Sequence, residues 1–191
     1  MARVREFDAE EILDRCLTLF WRKGYTGVSV SDLEETTGLG RQSLYNAFGN
    51  KEALFAKVLE RYDANTELWL QPLLADDAGL ATIRDYAAGA LAAQRRNRCS
   101  GCLVIKVLWD GGLPDPELAR RAQASTRRVR AALRHAIERA VARGEARPGD
   151  AERRADLCFA ALNGLAALRR AGVSESDALA TLDALLDPWR T

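Results

Sequence analysis

Arg41, Gln42, Ser43 and Asn46 sit together between two glycine-marked turns, in the stretch TTGLGRQSLYNAFGNKEALF at residues 36–55. These are base-edge chemistries: arginine pairs bidentately with guanine, glutamine or asparagine with adenine, and serine with several groups. Tyr45 adds a hydroxyl and Lys51 a charge, both suited to phosphate oxygens, which fix orientation rather than sequence. The exposed amides near Ser29, at the start of the preceding helix, offer a further phosphate site. Arg3 and Arg5 precede the first helix on an arm placed to reach backbone or minor groove. The competing reading is an ordinary solvated helix, and Asp32, Glu34 and Glu35 dilute the local positive charge.

Other reactive residues are sparse. Cys99 and Cys102 have the C-x-x-C spacing of redox and zinc sites, and Arg95, Arg96, Arg98 and Lys106 are near enough in sequence to lower a thiol pKa. No second pair, adjacent histidine or preceding strand supports them, so packing cysteines are the competing reading. Cys16 and Cys158 fall on apolar stripes and read as core. The one histidine, His135, lies in an arginine-rich helix and reads as a surface or interface residue. No HExxH, nucleophile–base pair or paired carboxylates occur. The expectation is therefore a protein that is not an enzyme, with no metal and no cofactor.

The elements that must position these residues are helices. Apolar residues recur at spacings of three and four almost throughout, with no alternating strand segment and no repeat. A first helix starts at Asp8, which has capping-box spacing with Glu11, buries Ile12, Leu13, Cys16, Leu17 and Phe20, and stops at Gly24. Ser29 caps a second helix from Val30 to about Thr37, ended by Gly38, and Gly40 opens a third from Arg41 to about Ala47. The tight TGLG link is the turn of a helix-turn-helix, with Leu44 and Phe48 packing inward on Leu33 and Phe20. Asn50 caps a long fourth helix, closed by Pro72.

A fifth helix covers about Leu80 to Arg95. CSGCLVIKVLWDGG, at 99–112, predicts a buried helix of about ten residues. Asp115 and Pro116 open a long helix to Arg143, Asp150 caps another to about Ala171, and a last one runs from Ser174 to Pro188. The fold class is all-α. A net charge of +1 over 191 residues gives no global pull toward nucleic acid, so any basic footprint is local. Neither a signal peptide nor a membrane span of ~18 apolar residues is present, and the four cysteines are not a disulfide framework. A soluble cytoplasmic protein is expected, with no membrane partner.

The run GYTGVSVSDLEETTGLGRQSLYNAFGNKEALF strongly resembles the N-terminal domain of the TetR family of bacterial transcriptional regulators. The match covers about residues 8–56, with GY, VSVSDL, TG and LYNAFGNKEAL in order and without gaps. The resemblance implies an N-terminal three-helix bundle with a helix-turn-helix, here residues 1–52. It also implies a C-terminal helical ligand-binding and dimerisation domain, here 53–191. Carried over by position, Ser29, Arg41, Gln42, Tyr45, Asn46 and Lys51 become DNA contacts, with Ser31 and Ser43 beside them. Gly40 departs from the family, which often has a Ser or Thr cap there.

The family's dimer, a four-helix bundle, points to helices 116–143 and 151–171, with Leu133, Ile137, Val141, Leu162 and Leu165 as packing residues. Its inducer pocket falls between about residues 60 and 115, where Trp69, Tyr86 and Trp109 supply aromatic walls for an apolar or aromatic ligand, unless they are simply core. GCL at 101–103 resembles a segment of one TetR-type subgroup, at the start of the helix beside the pocket. That places Cys102 at the ligand site. The functional expectation is a regulator, acting as a repressor, with double-stranded operator DNA, a small-molecule inducer and a second copy of itself as partners. A thiol-based sensor of oxidants or electrophiles using Cys99 and Cys102 is the alternative.

Overall fold

The structure is a computed structural model and describes residues 8–99, 101–110, 113 and 115–191. Arg3 and Arg5 lie outside the described residues. Helices follow in the order α1 (Ala9–Lys23), α2 (Val30–Thr37), α3 (Arg41–Phe48), α4 (Lys51–Leu70), α5 (Leu80–Asn97), α6 (Leu103–Trp109), α7 (Pro116–Ala142), α8 (Ala151–Arg170) and α9 (Glu175–Leu186). Short 3-10 turns follow α4 and α9. No strand occurs among the described residues, and no described helix is long and apolar enough to cross a membrane.

The helix boundaries follow from local chemistry. Asn50, Asp115, Asp150 and Ser174 each accept a backbone N–H in the first turn of the helix they precede, satisfying amides that have no partner within the helix. Gly38 stops α2 in the left-handed region at φ 70°, where a side chain would be strained. Two helices differ from expectation. Asp8 accepts from the Glu10 amide, while Glu11 pairs with Arg15 instead of reaching back to the cap. α6 has seven residues rather than ten, because Asp110 caps its end directly against α1.

Ser29 and Asp32 form a full capping box on α2: Ser29 Oγ accepts from the Asp32 amide at 3.1 Å, and the Asp32 carboxylate accepts from the Ser29 amide at 2.8 Å. Lys23 at the end of α1 adds an ion pair to Asp32 at 2.5 Å. The Lys23 hydrogen bond first, then those from Ser29, hold the Asp32 carboxyl well below the usual carboxylate range. A depressed carboxylate pKa stabilises the fold above the unfolded-state value and ceases to do so as pH falls through the folded one. Asp32→Asn is therefore expected to be less stable than the parent at pH 7. Acid titrations followed by circular dichroism should show that difference shrinking below about pH 4.

Two apolar cores form. The first joins Ile12, Cys16, Leu17 and Phe20 of α1 to Leu33, Leu44 and Phe48, and takes in Leu54, Phe55, Val58 and Leu59 of α4. It continues into Leu103, Val104 and Val107 of α6 and Leu118 and Ala122 of α7. α4 begins at Lys51 and carries its buried residues into this core. The second core joins α5, α8 and α9 to Ala132, Leu133, Ala136, Ile137 and Ala140 of α7. α7 thus spans both cores, and between them its buried stripe carries a hydroxyl, Ser125.

The second core takes up residues expected at the dimer face. Leu133 and Ile137 are 0% exposed and Leu165 is 1% exposed within the single chain. Within the chain their side chains hold α7 and α8 to each other. Val141 and Leu162 pack half-buried on the same core.

Candidate DNA-reading face and ligand cavity

Leu44 and Phe48 are buried and fix α3 to the first core. Arg41, Gln42, Ser43 and Asn46 are consequently turned outward together, all exposed. Gln42 Nε2 donates to Asn46 Oδ1 at 2.9 Å, which orients two amides as a unit one turn apart. The Arg41 guanidinium lies 5.5 Å from the centre of the half-buried Tyr45 ring, a cation–π contact. Lys51 rests over the Tyr25 ring at 4.4 Å; burial draws its ammonium down from its ordinary value, while Glu52 and Asp32 favour the charge.

The missing hydroxyl at Gly40 is compensated from a distance. Glu34 of α2 accepts from the Arg41 amide at 2.7 Å, so a carboxylate from the first helix of the pair caps the second. That carboxylate was counted in the sequence only as a dilution of positive charge. The start of α2 is similarly occupied: the Ser29 hydroxyl is committed to Asp32, and Ser31 stays exposed beside it. A phosphate approaching α2 would meet the Ser31 hydroxyl and any amides the capping box leaves free.

The cavity, about 350 Å³, lies where the two cores meet. Trp69, Tyr86 and Cys102 line it, together with Trp21, Tyr62 and Phe159. Trp109 does not line it. At 80% exposed it projects from the end of α6 into solvent, because the inward positions of this helix of about two turns are taken by Leu103, Val104 and Val107. The walls also extend beyond residues 60–115, drawing on α1, α7 and α8. Gly89 permits the Trp69 ring to lie against α5, since a Cβ there would stand 2.7 Å from it.

The polar groups in the walls are mostly uncharged. Ser125, 3% exposed, lines the cavity with Thr18, Thr66, Gln94 and Asn163. Burial, with the Cys102 thiol second, pushes the Tyr86 hydroxyl up to about 12. The same causes raise Tyr62 well above its ordinary value. Both phenols are therefore donors at neutral pH. At the mouth Asp14 is bound by Arg61 through two contacts of 2.9 Å, and Arg96 is exposed.

Cys99 does not present an activated thiolate. Burial pushes the Cys99 thiol up to about 11, outweighing its backbone hydrogen bond and the charges of Arg22 and Lys106, which pull it down. Cys102 Sγ lies 3.2 Å from the Tyr62 hydroxyl. All four cysteines are free thiols, and Cys16 and Cys158 are fully buried. The arginines that follow one another in sequence do not converge on a reactive sulfur, so the thiol alternative gains no support from the geometry.

A capped helix-turn-helix with its polar helix turned outward, carried on a helical domain that encloses an aromatic cavity, defines a DNA-binding transcriptional regulator. Residues 12–58 match the family model for bacterial regulatory proteins of the tetR family, and residues 103–188 match the C-terminal part of BetI-type transcriptional repressors. The chain belongs to the TetR family. It is 32% identical over 147 residues to YezE, an uncharacterized HTH-type regulator of Bacillus subtilis strain 168, covering 76% of each chain. It is 32% identical over 106 residues to the HTH-type transcriptional repressor BdcR of Escherichia coli K12, covering 54% of each. Among solved structures, a cysteine-substituted form of the TetR family regulator CifR, complexed with 26-base-pair operator DNA, superposes with a TM-score of 0.82 at 28% identity, covering 98% of this chain and 100% of that one.

The sequence alone missed Trp21, Tyr62, Phe159 and Ser125 as cavity residues. A usable signal was present for one of them: Ser125 interrupts an otherwise apolar stripe of α7 between Ala122 and Ala132. Trp21 carried no such signal, being the last aromatic of a helix already assigned to the other unit.

Proposed function

We propose that the chain is a homodimeric repressor that reads a palindromic operator with α3 and releases it when a small apolar or aromatic inducer fills the cavity. The observation that carries this reading is the joining, in one chain, of an outward polar helix seated on a rigid core with an aromatic cavity about 350 Å³ in volume. In this reading Arg41, Gln42, Ser43 and Asn46 meet base edges, while Ser29, Ser31, Tyr45 and Lys51 hold the backbone. The relatives named as repressors and the operator-bound neighbour support the direction of control. Inducer coupling of ~1–3 kcal/mol is enough to clear an operator. The placement of Gly101 and Cys102 in the cavity wall also supports membership of the subgroup with a GCL segment there.

Selection from random-sequence duplexes with the purified protein tests the reading. It should enrich a two-fold symmetric site whose affinity falls steeply with salt. Enrichment of no sequence above non-specific binding would overturn it.

The second copy is proposed to dock on α8 and α9. Leu157, Ala160, Gly164, Ala167 and Ala171 are exposed at alternating spacings of three and four, with Ala180 and Ala184 exposed on α9. A Cβ at Gly164 would meet nothing within 4 Å in the chain, so the stripe is flat enough for close helix–helix approach. Ala160→Arg should convert the dimer to monomer in sedimentation at micromolar concentration. Operator affinity should then fall by roughly 10²–10⁴-fold, as the second half-site ceases to be held at high effective concentration. A dimer that persisted would place the interface elsewhere.

A further inference from the structure

α1 belongs by its core to the DNA-reading unit, yet its opposite edge is a wall of the cavity. Ile12, Cys16 and Phe20 face the first core. Asp14, Leu17, Thr18 and Trp21, spaced as one helical stripe, line the cavity. A ligand there touches the reading unit itself, with no helix in between.

The C-terminal end of α1 is also tied to the connection between α5 and α6. Trp21 Nε1 donates to the Gly101 carbonyl at 2.8 Å, and Arg22 Nε donates to the Asn97 carbonyl at 2.9 Å. Lys106 Nζ donates to the Trp21 carbonyl at 3.3 Å and to that of Arg22. Just beyond, Gly24 adopts φ 75°, and a Cβ there would overlap Asp110. Of these ties only the first is made by a side chain that also faces the cavity, and its acceptor residue, Gly101, lines the cavity as well. The Trp21 ring stands edge-on to Tyr62, 5.5 Å between centres at 88°. An aromatic ligand competes for the Tyr62 face and for the indole donor at once.

We propose that Trp21 is the coupling residue of this regulator: an aromatic ligand in the cavity displaces the indole from Gly101, loosens the hold of the α5–α6 connection on the end of α1, and so moves α3, which shares the α1 core. The proposal rests on the reading of the cavity as the inducer site. Trp21 is a positioning residue for α3 and makes no contact with DNA in this scheme.

The test uses the full-length protein, a selected operator duplex, and 1-anilinonaphthalene-8-sulfonate as probe. Its aromatic rings suit the walls, and its sulfonate can meet Arg96 at the mouth. Operator affinity is measured with and without saturating probe, and the ratio of the two is the coupling factor. In the parent protein the probe should weaken operator binding, and operator should weaken probe binding by the same factor, as linkage requires. Trp21→Phe keeps an aromatic ring and removes the donor, so the coupling factor should shrink by roughly 2- to 13-fold, the worth of one neutral hydrogen bond. Trp69→Phe, in a wall outside α1, should weaken the probe yet keep the coupling factor at saturation. A factor unchanged in Trp21→Phe would overturn the role of Trp21 and leave the inducer site standing. Probe binding with no effect on the parent's operator affinity would overturn the inducer site and the coupling with it, as would failure of the probe to bind.

Discussion

Truncation of Phe20 to Ala is expected to destabilise the DNA-reading unit by about 3–5 kcal/mol, the usual cost of removing a buried aromatic ring. Phe20 is 0% exposed. Its ring packs edge-on to Phe55 with centres 4.8 Å apart, and stacks on Tyr25 at 6.2 Å. Phe55 and Tyr25 are themselves 5.0 Å apart, so removing Phe20 leaves a hole between two rings that cannot collapse without moving α4 and the loop after α1. Against a typical domain stability of about 5–15 kcal/mol, a loss of this size is large. Denaturant unfolding should show a lowered midpoint, and operator affinity should fall with it because α3 loses its seat. A loss below about 1 kcal/mol would mean that the aromatic cluster closes over the gap.

Gln42→Ala should have the largest effect on recognition. One bidentate base contact is worth about 1–3 kcal/mol of discrimination, and a dimer on a palindrome makes each contact twice, so about 2–6 kcal/mol is at stake per operator. Gln42 also orients Asn46, so the loss extends to a second reader. Base preference should relax at the same position of each half-site, with little change in the slope of affinity against salt. Lys51→Ala should behave in the opposite way, weakening all sequences alike and reducing that slope by about one per copy. Competition titrations over a set of single-base operator variants separate the two patterns. If Gln42→Ala and Arg41→Ala both left operator binding untouched, α3 would not be the reading helix.

Local signals carried far in this chain. Ser29, Asn50, Asp115, Asp150 and Ser174 cap the helices they were expected to cap, because a cap requires only a short polar side chain and the next three amides. The burial of Leu44 and Phe48, and with it the outward direction of Arg41, Gln42 and Asn46, follows from helical period alone. Where the cap itself was absent, at Gly40, the sequence showed only the gap. Glu34 fills it from seven residues away, and no local rule pairs those two positions.

Apolar periodicity shows that a face is buried but not what covers it. Leu133, Ile137 and Leu165 lie on good packing stripes, yet they are enclosed by their own chain. The exposed stripe through Gly164 is made of small residues that look unremarkable in a helix rich in alanine. Trp109 and Trp21 show the same limit in reverse. Both are aromatics near helix ends, and only the direction of each helix end leaves the first in solvent and turns the second into a cavity.

What the sequence by itself determined is whatever depends on neighbours within about one turn: the all-α class, the helix starts, and the polar face of α3. Which faces meet was decided only by the tertiary structure, because it depends on side chains from helices far apart in the chain competing for the same space. That is why the cavity, set at the seam between two cores and walled on one side by α1, could not be drawn from residues 60–115 alone.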